Sequence, residues 1–131
     1  MYLKFDPAVY LMDVLIVESQ AELGNLWKSC LQRQGMKVRL VGDQGQAFEA
    51  LRNSDFDIII LDLVLADGQA LSIADYASYR RPKARVIFVT NTSFFSDGSI
   101  FQLSGNACAF VQSETPPEDL AAMVEHYARV S

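Results

Sequence analysis

The sequence predicts an α/β fold, a (βα)5 doubly wound domain on a five-stranded parallel sheet, and three observations carry that expectation. Short β-rich apolar runs alternate with segments of helical spacing, several of the runs are continuously apolar, and no repeat or linker divides the 131 residues. Strict alternation of strand and helix implies parallel pairing with right-handed crossovers and helices on both faces. Continuous apolar strands are those covered on both sides.

The first strand is expected at Asp13–Val17. A helix follows in which Leu23, Leu26, Trp27, Cys30 and Leu31 recur at i, i+3, i+4, i+7 and i+8, with Gly35 as its stop signal. Lys37–Val41, Asp57–Asp62, Arg85–Thr90 and Ala107–Val111 supply the remaining strands. Weaker helical patterns fall at roughly 44–53, 69–79 and 95–105. The last helix opens with Pro116, Pro117, Glu118 and Asp119, as a helix start should, and continues through Leu120, Met123, Val124 and Tyr127. Residues 1–11 form an apolar extension that belongs to none of the five units, so the domain is expected over 12–131.

Composition removes several classes of function. With 50% hydrophobic and 21% charged residues the chain is an ordinary globular domain, able to bury roughly two-thirds of its unfolded surface without staples. Its net charge of −5 and its one short basic cluster, Arg80, Arg81, Lys83 and Arg85, argue against direct nucleic-acid binding. Cys30 and Cys108 lie inside apolar segments and read as buried thiols in a reducing compartment. No apolar stretch approaches the roughly 18 residues that span a bilayer, and a cytoplasmic location without membrane contact is expected.

In open α/β sheets ligands bind beyond the carboxyl ends of the strands. Those ends carry Glu18-Ser19-Gln20, Asp62, Thr90-Asn91 and Gln112-Ser113. A carboxylate directly after Ile58-Ile59-Ile60-Leu61 needs partners or water. Asp62 could serve only to cap the following turn. With Glu18 beside it, two carboxylates would repel unless a cation or a proton sat between them, and oxygen ligation of that kind suits Mg²⁺.

These segments also carry a resemblance. Val-Leu-Ile-Val-Glu at the first strand, Leu61-Asp62-Leu63-Val64-Leu65-Ala66-Asp67-Gly68, Val-Ile-Phe-Val-Thr-Asn at the fourth strand, and Ala-Phe-Val with a later Pro-Glu-Asp-Leu resemble the receiver domain of bacterial two-component response regulators. The match covers about residues 12–129, and its Leu-Asp-Leu-x-Leu-x-Asp-Gly segment is the most specific part. The resemblance implies a flavodoxin-like strand order 2-1-3-4-5. It assigns Asp62 as phosphoacceptor, Glu18 and the carbonyl of Val64 as metal ligands with Asp62, Thr90 as the hydroxyl that contacts the phosphoryl group, and Phe110 as the switch aromatic. It implies a sensor histidine kinase or phosphotransfer protein as donor. Output would run through the surface of the predicted fourth helix, the fifth strand and the last helix.

Two positions depart from the family pattern. Ser19 stands where a second acid is usual, and Ser113, followed by Glu114, where a lysine is usual. Phosphoryl transfer depends on positioning and on neutralising the equatorial oxygens, so both losses weaken the same reaction, and Mg²⁺ binding is expected to be weak. No Lys or Arg occurs between Arg85 and Arg129 to replace them.

Three functions therefore compete. The first is a stand-alone receiver that accepts phosphate slowly at Asp62 and, since the chain ends just after its last helix, signals through another protein. The second is a pseudo-receiver kept as a phosphorylation-independent interaction module. The third, a flavin or nucleotide binder on the same topology, needs a Gly-rich phosphate loop that Glu18-Ser19-Gln20-Ala21-Glu22 does not offer. No enzymatic activity beyond self-phosphorylation from a donor is expected. Adjacent Phe94 and Phe95 cannot share one buried helical face, so one is expected to meet a protein partner or a second copy of the chain.

Overall fold

A computed structural model describes residues 12–65, 70–90 and 107–129. In chain order these form β1 (Asp13–Val17), α1 (Ala21–Arg33), β2 (Lys37–Val41), α2 (Gln44–Asn53), β3 (Ile58–Asp62), α3 (Ala70–Arg80), β4 (Arg85–Thr90), β5 (Ala107–Gln112) and α4 (Pro117–Arg129). The strands pair in parallel in the order β2-β1-β3-β4-β5. The helix predicted over 95–105, the Phe94–Phe95 pair and the extension 1–11 lie outside the described residues.

Period-two alternation of the buried strands divides the core into two layers. Leu15, Val17, Ile59, Leu61, Val86 and Phe88 point to α2 and α3, where Ala47, Ala50, Leu51, Ile73 and Ala77 meet them. Val14, Ile16, Ile58, Ile60, Ile87 and Val89 point to α1 and α4, against Trp27, Leu31, Leu120 and Val124. A strand apolar at every position is thus what a sheet sandwiched between helices requires.

Local chemistry ends the elements where the sequence suggests. Gly35 takes φ 94°, its N–H bonds the Gln32 carbonyl at 2.9 Å and Met36 N–H bonds Leu31 at 3.3 Å, a Schellman closure of α1. Asp43 caps α2 by accepting from Gln46 N–H at 2.8 Å. At the far end of α2, Arg81 donates to the Leu51 carbonyl and pairs with Asp55 at 2.6 Å, so that the basic cluster before β4 lies at the end of the sheet opposite the strand tips.

Four sequence expectations need correction. Leu26 is half exposed, and the buried stripe of α1 is instead Gly24, Trp27, Cys30 and Leu31. Leu26 lies about a quarter-turn off that stripe, and α1 covers the edge of the sheet, where a wider apolar face has nothing to meet. Strand β3 begins at Ile58, one residue later than expected; Asp57 precedes it, its N–H on the Asp13 carbonyl at 2.8 Å and its carboxylate accepting the Asp13 N–H at 2.9 Å. Strand β5 runs one residue further, through Gln112, which pairs with Thr90. Cys108 is half-buried, since a register shift opposite Val86 and Ile87 makes it the extra residue of β5.

Candidate functional site

Register alone brings the two predicted acids together. Val17 pairs with Leu61, so the next residues, Glu18 and Asp62, emerge side by side from the tips of β1 and β3. Both follow the even-numbered residues that face α1 and α4, so they share a side of the sheet. The ladder continues past the strands: Glu18 N–H bonds the Val41 carbonyl at 3.0 Å, and Leu63 N–H bonds Val89 at 2.7 Å. The acids therefore stand on rigid backbone.

Both are nearly inaccessible, Glu18 at 2% and Asp62 at 5% exposure. Asp62 Oδ1 accepts the Val64 N–H at 2.9 Å, closing an Asx turn that fixes the rotation of the carboxylate. Glu18 Oε1 accepts the Gln20 N–H at 2.9 Å, while Oε2 is buried with no hydrogen-bond donor. Its neighbour is the Asp62 carboxyl, itself an acceptor, so the contact is satisfied only by a proton or a cation. Burial pushes the Glu18 carboxyl up to about 8, the adjoining Asp62 carboxyl adds to the rise, and the backbone N–H groups of Gln20 and Ser19 oppose it.

Gly24, which the sequence reading passed over, shapes this environment. A Cβ there would lie 2.7 Å from Leu40 Cδ1 and 3.4 Å from Glu18 Cβ. Its bare backbone lets α1 close on β2 and seats Leu40 beside the acid. The available signal was a glycine inside an amphipathic helix, where it costs about 1 kcal/mol relative to alanine and so has a packing reason.

The other predicted residues take a second position. Thr90, fully buried, closes β4 one residue beyond the Val89 that pairs with Asp62. Phe110 pairs with neighbouring Phe88 and packs with the α2–α3 layer, the side to which alternation also assigns Thr90. The hydroxyl and the aromatic are thus grouped together on the face opposite to the paired acids. Ser113 N–H bonds the Thr90 carbonyl at 2.7 Å, which puts the residue where a lysine is usual beside the backbone tip of β4. Ser19 follows Glu18 and is half-buried. Among the described residues no three His, Cys, Asp or Glu side chains gather around one point, and the acid pair is what a cation would meet.

A family model for the response regulator receiver domain matches residues 14–125. Among curated proteins, the response regulator protein PilR of Pseudomonas aeruginosa is 29% identical over 111 residues, which span 85% of this chain and 24% of PilR. The transcriptional regulatory protein RstA of Escherichia coli is 29% identical over 119 residues, 88% of this chain and 48% of RstA. The chain thus spans about a quarter to a half of these relatives. Among solved structures, a CheY-like receiver domain protein of Methanospirillum hungatei superposes with a TM-score of 0.81 at 24% identity, covering 90% of this chain and 94% of that one. The response regulator TrrA of Thermotoga maritima, solved in complex with Mg²⁺-BeF, gives a TM-score of 0.77 at 18% identity over 89% of this chain and 99% of TrrA. At these identities the structural likeness speaks for the fold.

Proposed function

The chain belongs to the response regulator receiver domain family, and from that premise we propose that it is a signalling module whose phosphoacceptor is Asp62. The observation that carries the proposal is the pair of buried carboxylates at the tips of β1 and β3, one of them with an oxygen that no donor satisfies. In this reading a phosphohistidine on a sensor histidine kinase or phosphotransfer protein is the donor. One oxygen of Asp62 is held by the Val64 N–H, which orients the other toward phosphorus. The O–P bond forms as the N–P bond breaks, and the imidazole leaves with the electron pair.

The residues present fit a divalent cation. Glu18, Asp62 and the Val64 carbonyl would hold Mg²⁺, which when bound neutralises charge on the phosphoryl oxygens. Thr90 and Phe110 share the face opposite the paired acids, and Thr90 stands at the tip of β4 one residue beyond the partner of Asp62, which supports a coupled response of hydroxyl and ring to a phosphoryl group seated at the strand tips. Output is proposed to pass through protein contacts that include β5 and α4, in the cytoplasm.

A specific observation favours a second reading, that of a phosphorylation-independent pseudo-receiver. Ser19 and Ser113 leave the site with two acids and no lysine, and the described residues at the strand tips include no Lys or Arg. Labelling with a small phosphodonor in Mg²⁺, read as an acid-stable, hydroxylamine-sensitive acyl phosphate, separates the two. Label that Asp62→Asn removes supports the acceptor; unlabelled protein, or labelling unchanged by Asp62→Asn, refutes it.

A further inference from the structure

Sheet topology sorts the charges of this chain into two poles. At the strand tips the exposed charged side chains include Glu22, Asp43 and the trio Glu114, Glu118 and Asp119, with no Lys or Arg among the described residues there. At the strand starts the sign reverses. Arg33, Arg52 and Arg80 close α1, α2 and α3, where the negative end of each helix dipole favours a cation. That rule does not reach Lys37 and Arg39 on β2, or Lys83 and Arg85 leading into β4. Asp13, Asp55 and Asp57 offset only part of this charge, and Asp55 is committed to Arg81.

The basic pole also has a shape. An open cavity of about 470 Å³ between the starts of β1, β2 and β3 is lined by Lys37, Arg39, Asp13, Ser54 and Asp55 and by apolar Val14, Val38 and Phe56; with Asp55 paired to Arg81, Lys37 and Arg39 outweigh Asp13. The Arg39 guanidinium stands 6.0 Å above the Phe56 ring. Both cations are exposed although they sit on an edge strand, where a lysine alone would suffice to discourage strand pairing.

We propose that this cavity is an interaction surface whose partner is the acidic turn of a second copy of the chain, the Glu114–Asp119 segment that opens α4. The turn is complementary in sign, projects from the opposite pole, and carries two successive exposed acids on a helix start held by Pro116 and Pro117. The two patches differ, so the contact is heterologous and aligns the charge poles of neighbouring molecules head to tail. This inference is independent of phosphate and metal chemistry at Asp62.

Sedimentation velocity of the full chain, without Mg²⁺ or phosphodonor, tests it. Self-association is expected at low ionic strength and should weaken at least tenfold as salt shortens the screening length from about 30 Å to about 8 Å. Lys37→Glu with Arg39→Glu, or Glu118→Lys with Asp119→Lys, should each abolish association of that variant alone, while an equimolar mixture of the two restores it. Should the lysine variant lose its circular dichroism, Glu118→Gln with Asp119→Gln serves in its place and should weaken self-association of that variant. Wild-type protein that stays monomeric at low salt overturns the proposal. So does a folded lysine-variant mixture that fails to associate, or a basic-pole variant that loses binding to duplex DNA yet self-associates as the wild type does.

Discussion

Raising the pH from 6 to 8 should tighten Mg²⁺ binding roughly 50-fold, because the metal must displace a proton from Glu18. With that carboxyl at about 8, only ~1% of molecules carry the anion at pH 6 and about half do at pH 8, so affinity rises about ninefold from pH 6 to 7, about fivefold from pH 7 to 8, and levels off above pH 9. Stability without metal moves the other way. The folded value, about 8, lies above the ordinary 4.5, so between them the native state holds a proton that the unfolded chain has lost. The contribution is complete below pH 4.5 and is lost as pH rises through 8, with a slope of at most about 1.4 kcal/mol per unit. Calorimetric titration in buffers of differing ionisation heat measures both the affinity and the proton released, and urea unfolding follows the apo protein. Glu18→Gln should flatten both profiles. An affinity constant from pH 6 to 8, or a Glu18→Gln variant with the wild-type profile, refutes the carboxyl pair as the metal locus.

Ser19→Asp should strengthen Mg²⁺ binding, since it adds a third carboxylate beside Glu18, and equal affinities by titration would remove position 19 from the site. Ser113→Lys should lengthen the life of an acyl phosphate on Asp62 on the order of 10–150-fold, the worth of one charge-assisted hydrogen bond, as read by decay of the label. Gly24→Ala should fail to give the ~1 kcal/mol that helix propensity offers, because the new methyl meets Leu40, and combining it with Leu40→Ala should show non-additive unfolding energies. Asp43→Ala should cost about 1 kcal/mol of stability in denaturant titration through loss of the α2 cap.

The thiols illustrate where sequence patterns stop. Cys30 and Cys108 both sit in apolar stretches, and Cys30 is buried as expected. The register shift in β5 leaves Cys108 only half-buried, yet partial desolvation still raises its thiol to about 11, so it stays protonated and weakly reactive. Leu26 shows the same limit: a helical period says which residues share a face, but how wide a face the sheet can cover depends on where the helix docks.

What the sequence determined by itself is whatever short-range rules govern. Continuous apolar runs specify strands buried on both faces, Gly35 and Asp43 end and begin helices through backbone geometry, and strict alternation leaves few topologies for a parallel sheet. Strand tips then locate Glu18, Asp62, Thr90 and Ser113 at one end. Only the tertiary structure decided how those residues group. Register sets Glu18 against Asp62 and separates them from Thr90 and Phe110 across the sheet, and burial beneath Leu40 and Gly24 leaves one carboxylate oxygen without a donor. The gathering of cations at one pole is likewise a property of the assembled sheet. Residues far apart in the chain share a pole because parallel strands all start at one end and finish at the other.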